Sequence, residues 1–355
     1  MSLFTLQAGS RAYRKIQRDG LRAGDVGAVF GASGAAKWLA ISGLDKAIFG
    51  RWLAASEQQI LTFGTSVGAF KLAAAAQHNP VAALDRLAVA YIEQQYPDGL
   101  TREAIAQQLD LILDKTIPDA ARHEILGNPR YLFSCAATAC PGLLGSEQAP
   151  LQWLGMAGTA LRELSPQRLQ LRANLRRIIF CSEQARVLMQ PQAGNFVALS
   201  EASLKPAIIA SGSLPLYMHG VQGLHPHTLR DGGLLDYHPV PSNLLAAQQG
   251  LVLYPHFFPH LVERWFDKFY PWRKVTADRL EDVVLISPSQ AFCDSLELGR
   301  VPDRSDFKRY YNRDAERMRL WREVTVRSDE MGEQFLDAVQ SGKIVSLLEP
   351  LPRQL

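Results

Sequence analysis

The chain has little of what announces most function classes. Its 355 residues hold four cysteines, Cys135, Cys140, Cys181 and Cys293. They form neither a CxxC pair nor a regular framework, which argues against a disulfide-stapled fold and a cysteine-rich zinc module and reads as free thiols in a reducing compartment. Charge of one sign is not in excess either: the formal net charge is +3, and no run of like charges makes a nucleic-acid footprint. No apolar window approaches bilayer-spanning length, and the N-terminus, with Arg11, Arg14, Lys15, Arg18 and Asp19 spread through it, lacks a signal core. Internal repeats and low-complexity tracts are absent. These absences describe a soluble, cytoplasmic protein with no nucleic-acid partner, and an apolar content of 47% suffices for a sizeable core.

What is present is a repeated strand, loop and helix order. The run "VGAVF" at 26–30 enters a small-residue loop, Gly31 to Lys37, and apolar groups at Leu39, Ile41, Leu44 and Ile48 then recur at helical spacing, predicting a helix from Trp38 to Phe49. Residues 60–77 repeat the order, and "RRIIFCS" at 176–182 and "VVLIS" at 283–287 are further strands. From 81 to 127 the pattern is mostly helical. Strands alternating with helices predict an α/β fold, a central and mostly parallel sheet covered on both faces.

The most informative stretch is "ILTFGTSVGAF" at 60–70. Gly64 and Gly68, two residues either side of Ser66, let the chain turn sharply from strand to helix, which leaves the serine hydroxyl exposed at a helix N-terminus where developing negative charge is favoured. A Gly-Ser turn that merely joins a strand to a helix has the same letters. A serine nucleophile also needs a base and oxyanion donors. Six of the eight histidines (His219, His225, His227, His238, His256 and His260) fall between 219 and 260, so a Ser-Asp-His triad is one option. His225-Pro226-His227 has no second ligand pair at zinc-like spacing, which leaves a metal site without support. In "LRDGGLLDYHPV" at 229–240, Asp231 precedes Gly232 and Gly233, so its carboxylate stands in a tight backbone turn.

Together these segments resemble the patatin-like phospholipase family. Gly64-Thr65-Ser66-Val67-Gly68-Ala69 is similar to its G-T-S-x-G-A elbow, and Asp231-Gly232-Gly233 with Pro239 to its D-G-G-x-x-x-N-x-P segment. Ala210, Ser211, Ser213 and Pro215 fall in register with an A-S-x-S/A-x-P segment, and the likeness spans 26–245. The resemblance implies a three-layer α/β/α sandwich and an acyl hydrolase without cofactor or metal. In it Asp231 activates Ser66, the N–H groups of Gly34, Ala35 and Val67 hold the oxyanion, and Gly64, Gly68, Lys37, Gly232 and Gly233 support the site. Its implied partner is a lipid or other acyl-ester substrate. Two positions depart from the pattern. Ser33-Gly34-Ala35-Ala36-Lys37-Trp38 stands where the family has G-G-G-x-R/K-G, and Tyr237 replaces an asparagine. Ser and Ala serve in a backbone oxyanion hole where φ is negative and are strained where it is positive. Trp38 is placed to narrow the entrance, and Lys37 either holds the loop, meets an anionic head group, or is a solvated lysine. A relative with an altered loop that binds lipid or protein without catalysis is the alternative function.

Residues 254–274 carry eight aromatics, and a helix here puts Phe258, Leu261 or Val262, Trp265, Phe269 and Trp272 on one face. Such a face suits peripheral membrane contact or a lid, and equally a helix packed on the core, the commoner use of the pattern. The mixed charges of 300–327 read as a solvated helix face anchored by Phe307, Tyr310, Tyr311 and Trp321. The expected organisation is an N-terminal extension (1–25), a catalytic domain (26–250) and a C-terminal elaboration (251–355) packed on it.

Overall fold

The structure, a computed structural model, describes residues 2–164, 175–246 and 250–352. Among the described residues ten strands form one sheet: β1 (Phe4–Ala8), β2 (Val26–Gly31), β3 (Ile60–Gly64), β4 (Tyr131–Ala139), β5 (Arg176–Cys181), β6 (Asn195–Ala198), β7 (Leu229–Asp231), β8 (Leu251–Pro255), β9 (Val283–Pro288) and β10 (Leu348–Pro350). Their order is β10-β1-β9-β8-β2-β3-β4-β5-β6, with β7 paired to β4 outside that path. Pairing is parallel through β3-β2-β8-β9 and between β3 and β4; antiparallel pairs join β1 to β9 and β4 to both β5 and β7. The protein is thus an α/β protein with a large, mostly parallel central sheet flanked by helices.

Successive residues of the central strands feed two separate cores. Val29, Phe133, Leu253 and Val284 point into one, while Ala28, Phe30, Leu132, Val252, Tyr254, Val283 and Leu285 point into the other. The period of two puts neighbours on opposite faces, and apolar groups on both faces leave strands reading as continuous apolar runs. The first face is covered by long helices, Val67–Ala75, Pro80–Ile92 and Asp314–Gln340 among them. The second is covered mainly by short turns and irregular chain, through Met189, Val240, Leu244, Phe257, Leu261 and Leu280.

Several expectations change in detail. Trp38 to Phe49 is not one helix but a 3₁₀ stretch, Ala35–Ile41, followed by helix Ser42–Ala47 and a wider turn, Ile48–Trp52. Residues 254–274 do not form a helix. The chain leaves β8 in extended form and makes only a short 3₁₀ turn, Trp265–Phe269; Pro255 and Pro259 before it and Pro271 after it break any longer hydrogen-bonded run. The charged tail makes a one-turn helix, Asp306–Arg309, and a long helix only from Asp314, with Trp321 fully buried and Tyr311 exposed.

Candidate active site

β2 and β3 lie side by side with Gly31 opposite Gly64, so their C-terminal loops leave the sheet at the same level. The loop after β3 turns straight into helix Val67–Ala75, and Ser66 at the turn adopts φ 52° and ψ −129°. Left-handed backbone is costly for any residue with a Cβ. Close packing imposes it: a Cβ at Gly68 would lie 2.2 Å from the carbonyl oxygen of Gly31, and one at Gly64 would lie 2.5 Å from the carbonyl carbon of Gly68. The helix start therefore sits directly on β2 and β3, and Ser66 absorbs the strain.

β4 positions the carboxylate. β3 pairs with β4 only as far as Gly64 opposite Cys135, and β5 takes the other edge of β4 from Ser134 onward. β7 therefore fills the edge that β3 vacates, running back toward the turn and ending with Asp231 opposite Ala137. Two strand residues separate the two registers, about 7 Å at the rise of a strand. That is side-chain reach, and the Ser66 hydroxyl lies near enough to the Asp231 carboxyl to favour its ionised form. The N–H of Gly233 donates to Asp231 Oδ1 at 2.6 Å, and a Cβ at Gly232 would strike the carbonyl oxygen of Ala136 at 2.1 Å. Burial pushes the Asp231 carboxyl up to about 6, against the pull of the Gly233 N–H, the Ser66 hydroxyl and the charges of Arg304 and Lys268.

Ser211 ties the two halves together. The N–H of Ser66 donates to both the carbonyl and the hydroxyl of Ser211, each at 3.0 Å, and the N–H of Gly232 donates to the same carbonyl at 3.1 Å. The Ser211 hydroxyl in turn donates to Ala136 O at 2.7 Å. One buried serine at the end of helix Glu201–Gly212 thus binds the backbone of both turns.

The loop after β2 lies across from this pair. Ser33 donates its N–H to Tyr237 O at 2.8 Å and pairs its hydroxyl with that of Thr65 at 2.9 Å. Gly34 has φ −168° and Ala35 φ 51°, so the condition that would leave Ala35 unstrained is not met. Gly34 packs so tightly that a Cβ would lie 2.3 Å from the Phe257 ring. No acceptor among the described residues takes the N–H groups of Gly34, Ala35 or Val67, and all three residues line the cavity that also holds Ser66 and Asp231. Trp38 does not narrow an entrance: it is buried, and its indole N–H donates to Asp45 at 2.8 Å. Lys71 of the helix after Ser66 holds the same Asp45 carboxylate at 2.9 and 3.0 Å, which couples the two loops through one buried ion pair.

This cavity has a volume of about 470 Å³, within the range of small-molecule sites. Its inner wall is apolar, with Phe70, Leu109, Ile112, Leu214, Met218 and Leu234. Its rim carries Lys37, Lys268, Arg304 and Lys308 beside Asp303. Lys37 is ion-paired to Asp303. Against burial, Lys37 and the Ser305 N–H hold the Asp303 carboxyl down at about 2. Lys268 sits over the Tyr237 ring, 3.4 Å from its centroid. Lost hydration and the charges of Lys37 and Arg304 bring Lys268 down to about 7. Sequence reading missed Lys268, Arg304 and Asp303, which reach the site only because the tail folds back over it. A second cavity of about 490 Å³, bordered by Glu93, Gln108, Lys115 and Arg322, has no serine, threonine, cysteine or histidine in its lining.

No histidine lines the Ser66 cavity. His238 and His256 are buried, and each accepts a backbone N–H at Nδ1, from Val262 at 2.8 Å and from Phe258 at 3.0 Å. Burial lowers both, His256 to about 3. His219 pairs with Glu147 at 3.1 Å, His260 stacks on Phe258, His225 is half-buried and His227 is exposed. Asp236 is spent on a buried ion pair with Arg177 at 2.6 Å. Among the described residues no group of three or more His, Cys, Asp or Glu is placed to hold a metal ion, and no helix is long and apolar enough to cross a membrane.

Comparison with known proteins adds little. No family model matches the chain, and no curated protein does. Among solved structures it is similar to VipD from Legionella pneumophila at 12% identity, covering 95% of this chain and 70% of that one with a TM-score of 0.33.

Proposed function

We propose that the chain is a serine acyl-ester hydrolase of the lipase type, working through Ser66 and Asp231 as a dyad. The observation that carries this reading is that a strained, helix-terminal serine and a buried carboxylate within its side-chain reach line the same apolar cavity. Ser66 Oγ attacks the ester carbonyl while Asp231 takes its proton, and the N–H groups of Gly34, Ala35 and Val67 face the oxygen that becomes negative. Collapse of the tetrahedral adduct breaks the ester bond, and Asp231 returns the proton to the departing alcohol. Water then attacks the acyl-serine with Asp231 again as base, releasing the acid and restoring the hydroxyl. A carboxyl near 6 is ionised at neutral pH yet more basic than an exposed aspartate, which suits it to accept a serine proton without an imidazole. The apolar wall receives an acyl chain, so lipid esters are the substrate class that fits.

The test is hydrolysis of p-nitrophenyl acyl esters by the wild type, Ser66→Ala and Asp231→Asn, with labelling of Ser66 by a fluorophosphonate. Both variants are expected to lose at least about a thousandfold in kcat while keeping the wild-type circular dichroism. A folded wild type that neither turns over nor labels would favour a non-catalytic binding protein, for which the left-handed Ala35 would be the structural cause.

A further inference from the structure

The exposed apolar surface is concentrated beside the cavity mouth. Six large apolar side chains among the described residues are at least 60% exposed, and five of them (Trp153, Leu154, Leu161, Phe269 and Trp272) come from two segments. Helix Ala149–Leu164 supplies the first three. Their spacing of one and eight residues keeps them on one side of the helix. The stretch after Trp265 supplies the other two. The segments are fastened together: Tyr270 donates its hydroxyl to Ala160 O at 2.8 Å, Arg264 pairs with Glu163 at 3.0 Å, and Arg273 donates to Glu163 O. Beneath them Leu144, Met156, Leu234, Phe266 and Tyr270 form a small core of their own, so the face is backed by packed structure. It runs directly into the site, because Trp265 lines the cavity and packs edge-on to Phe269 with ring centroids 5.4 Å apart.

Soluble proteins rarely leave such groups uncovered together, and charge says what covers these. Arg162 and Lys274 are exposed around the patch. Every carboxylate within 149–163 and 261–275 is turned inward onto a cation of the protein: Glu163 on Arg264, Asp267 on Arg273 and Glu263 on Arg279. Tryptophan, phenylalanine and leucine ringed by lysine and arginine, with no outward acid, match the boundary between acyl chains and anionic head groups. We infer that Trp153, Leu154, Leu161, Phe269 and Trp272 form the face by which this protein docks on an anionic lipid surface, with the cavity mouth at its edge. The sequence pattern of 254–274 pointed to one amphipathic helix. The folded face instead loses Leu261 to the core, packs Phe258 against that core, turns Trp265 to the cavity, and recruits a helix a hundred residues earlier.

The experiment is co-sedimentation of the full chain with vesicles of phosphatidylcholine alone or of phosphatidylcholine mixed with phosphatidylserine. Binding is read without turnover, so Ser66→Ala is expected to bind like the wild type, and a failure of the proposed chemistry leaves this result readable. The wild type is expected to favour the mixed vesicles. The doubles Trp153→Ser/Leu161→Ser and Phe269→Ser/Trp272→Ser, checked for fold by circular dichroism, are each expected to lose at least about tenfold in affinity. Arg162→Ala and Lys274→Ala are expected to lose about fivefold each on the mixed vesicles only. The inference is overturned by a wild type that sediments with neither vesicle, by equal binding to both, or by folded patch doubles that bind normally. It is also overturned if the doubles merely convert a dimer to a monomer in light scattering without changing vesicle binding, since the face would then belong to a second copy.

Discussion

The loops after β2 and β3 leave adjacent strands at the same level, and each holds one non-glycine residue in left-handed backbone, Ala35 at φ 51° and Ser66 at φ 52°. They differ in how that conformation is held. At Ser66 the restraint is backbone on backbone: Gly68 lies against Gly31 with no room for a Cβ, and two hydrogen bonds from the Ser66 N–H converge on Ser211. Around Ala35 it comes from side chains, the Phe257 ring against Gly34 and the Ser33 and Thr65 hydroxyls. Strain fixed by backbone contact tolerates few residue types at its supports, whereas strain fixed by neighbouring side chains admits several, and this explains why one loop keeps its glycines and the other has Ser, Ala and Ala.

Cutting the link between the two loops is expected to have the largest effect. Lys71→Met leaves Asp45 buried beside Trp38 with no countercharge, and about 4 kcal/mol of stability should be lost in urea titration. The carboxyl of Asp45 is already raised by burial. A group whose folded value lies above its unfolded one contributes stability at low pH that disappears as pH rises, so the deficit of this variant should widen from pH 5 to pH 8. A deficit independent of pH would show that Asp45 is not the cause.

Gly68→Ala attacks only the turn after β3. Pressing a methyl onto Gly31 is expected to cost about 2 kcal/mol and to lower kcat with it. A neutral result would mean that the helix start has room to retreat from β2, and the contrast between the loops would fall.

The pH profile probes the pair itself. The proposed mechanism needs Asp231 ionised, so kcat/KM should fall about tenfold per pH unit below about 6 and level off above it. Lys268→Met removes a positive charge that favours the carboxylate, so the acid limb should move upward; an unmoved limb would separate Lys268 from the dyad.

The smallest effect is expected at the other loop. Ala35→Gly relieves left-handed strain and should raise stability by about 1 kcal/mol, a gain that a thermal melt can resolve. Ser66→Gly should exceed Ser66→Ala in stability by a similar amount. If only the second pair differs, Ala35 is not strained.

Much of this was legible in the linear chain because the relevant physics is local. Val26 to Gly31 and Ile60 to Gly64 read as buried strands, and Gly64 and Gly68 mark a turn that only a short list of residues can make. β4 was not legible: its Ser134, Cys135, Ala136, Ala137 and Thr138 are small residues of no clear period, suited to the middle of a sheet pressed from both sides. The 254–274 stretch misled because aromatic spacing mimics a helix face, while its prolines and its contacts with 160–163 dictate extended chain and a single 3₁₀ turn.

The sequence by itself determined the nucleophile candidate, its glycine supports and the acid candidate in a tight turn, since each depends on what a few consecutive residues do to backbone geometry. Only the tertiary structure decided that Asp231 lines the same cavity as Ser66, through the edge of β4 that β3 vacates, and that Ser211 binds the backbone of both turns. It also set the carboxyl near 6, surrounded the mouth with Lys268, Asp303 and Arg304, and gathered Trp153, Leu161, Phe269 and Trp272 on one face. Burial, field and surface are sums over residues distant in the chain, and no local pattern carries them.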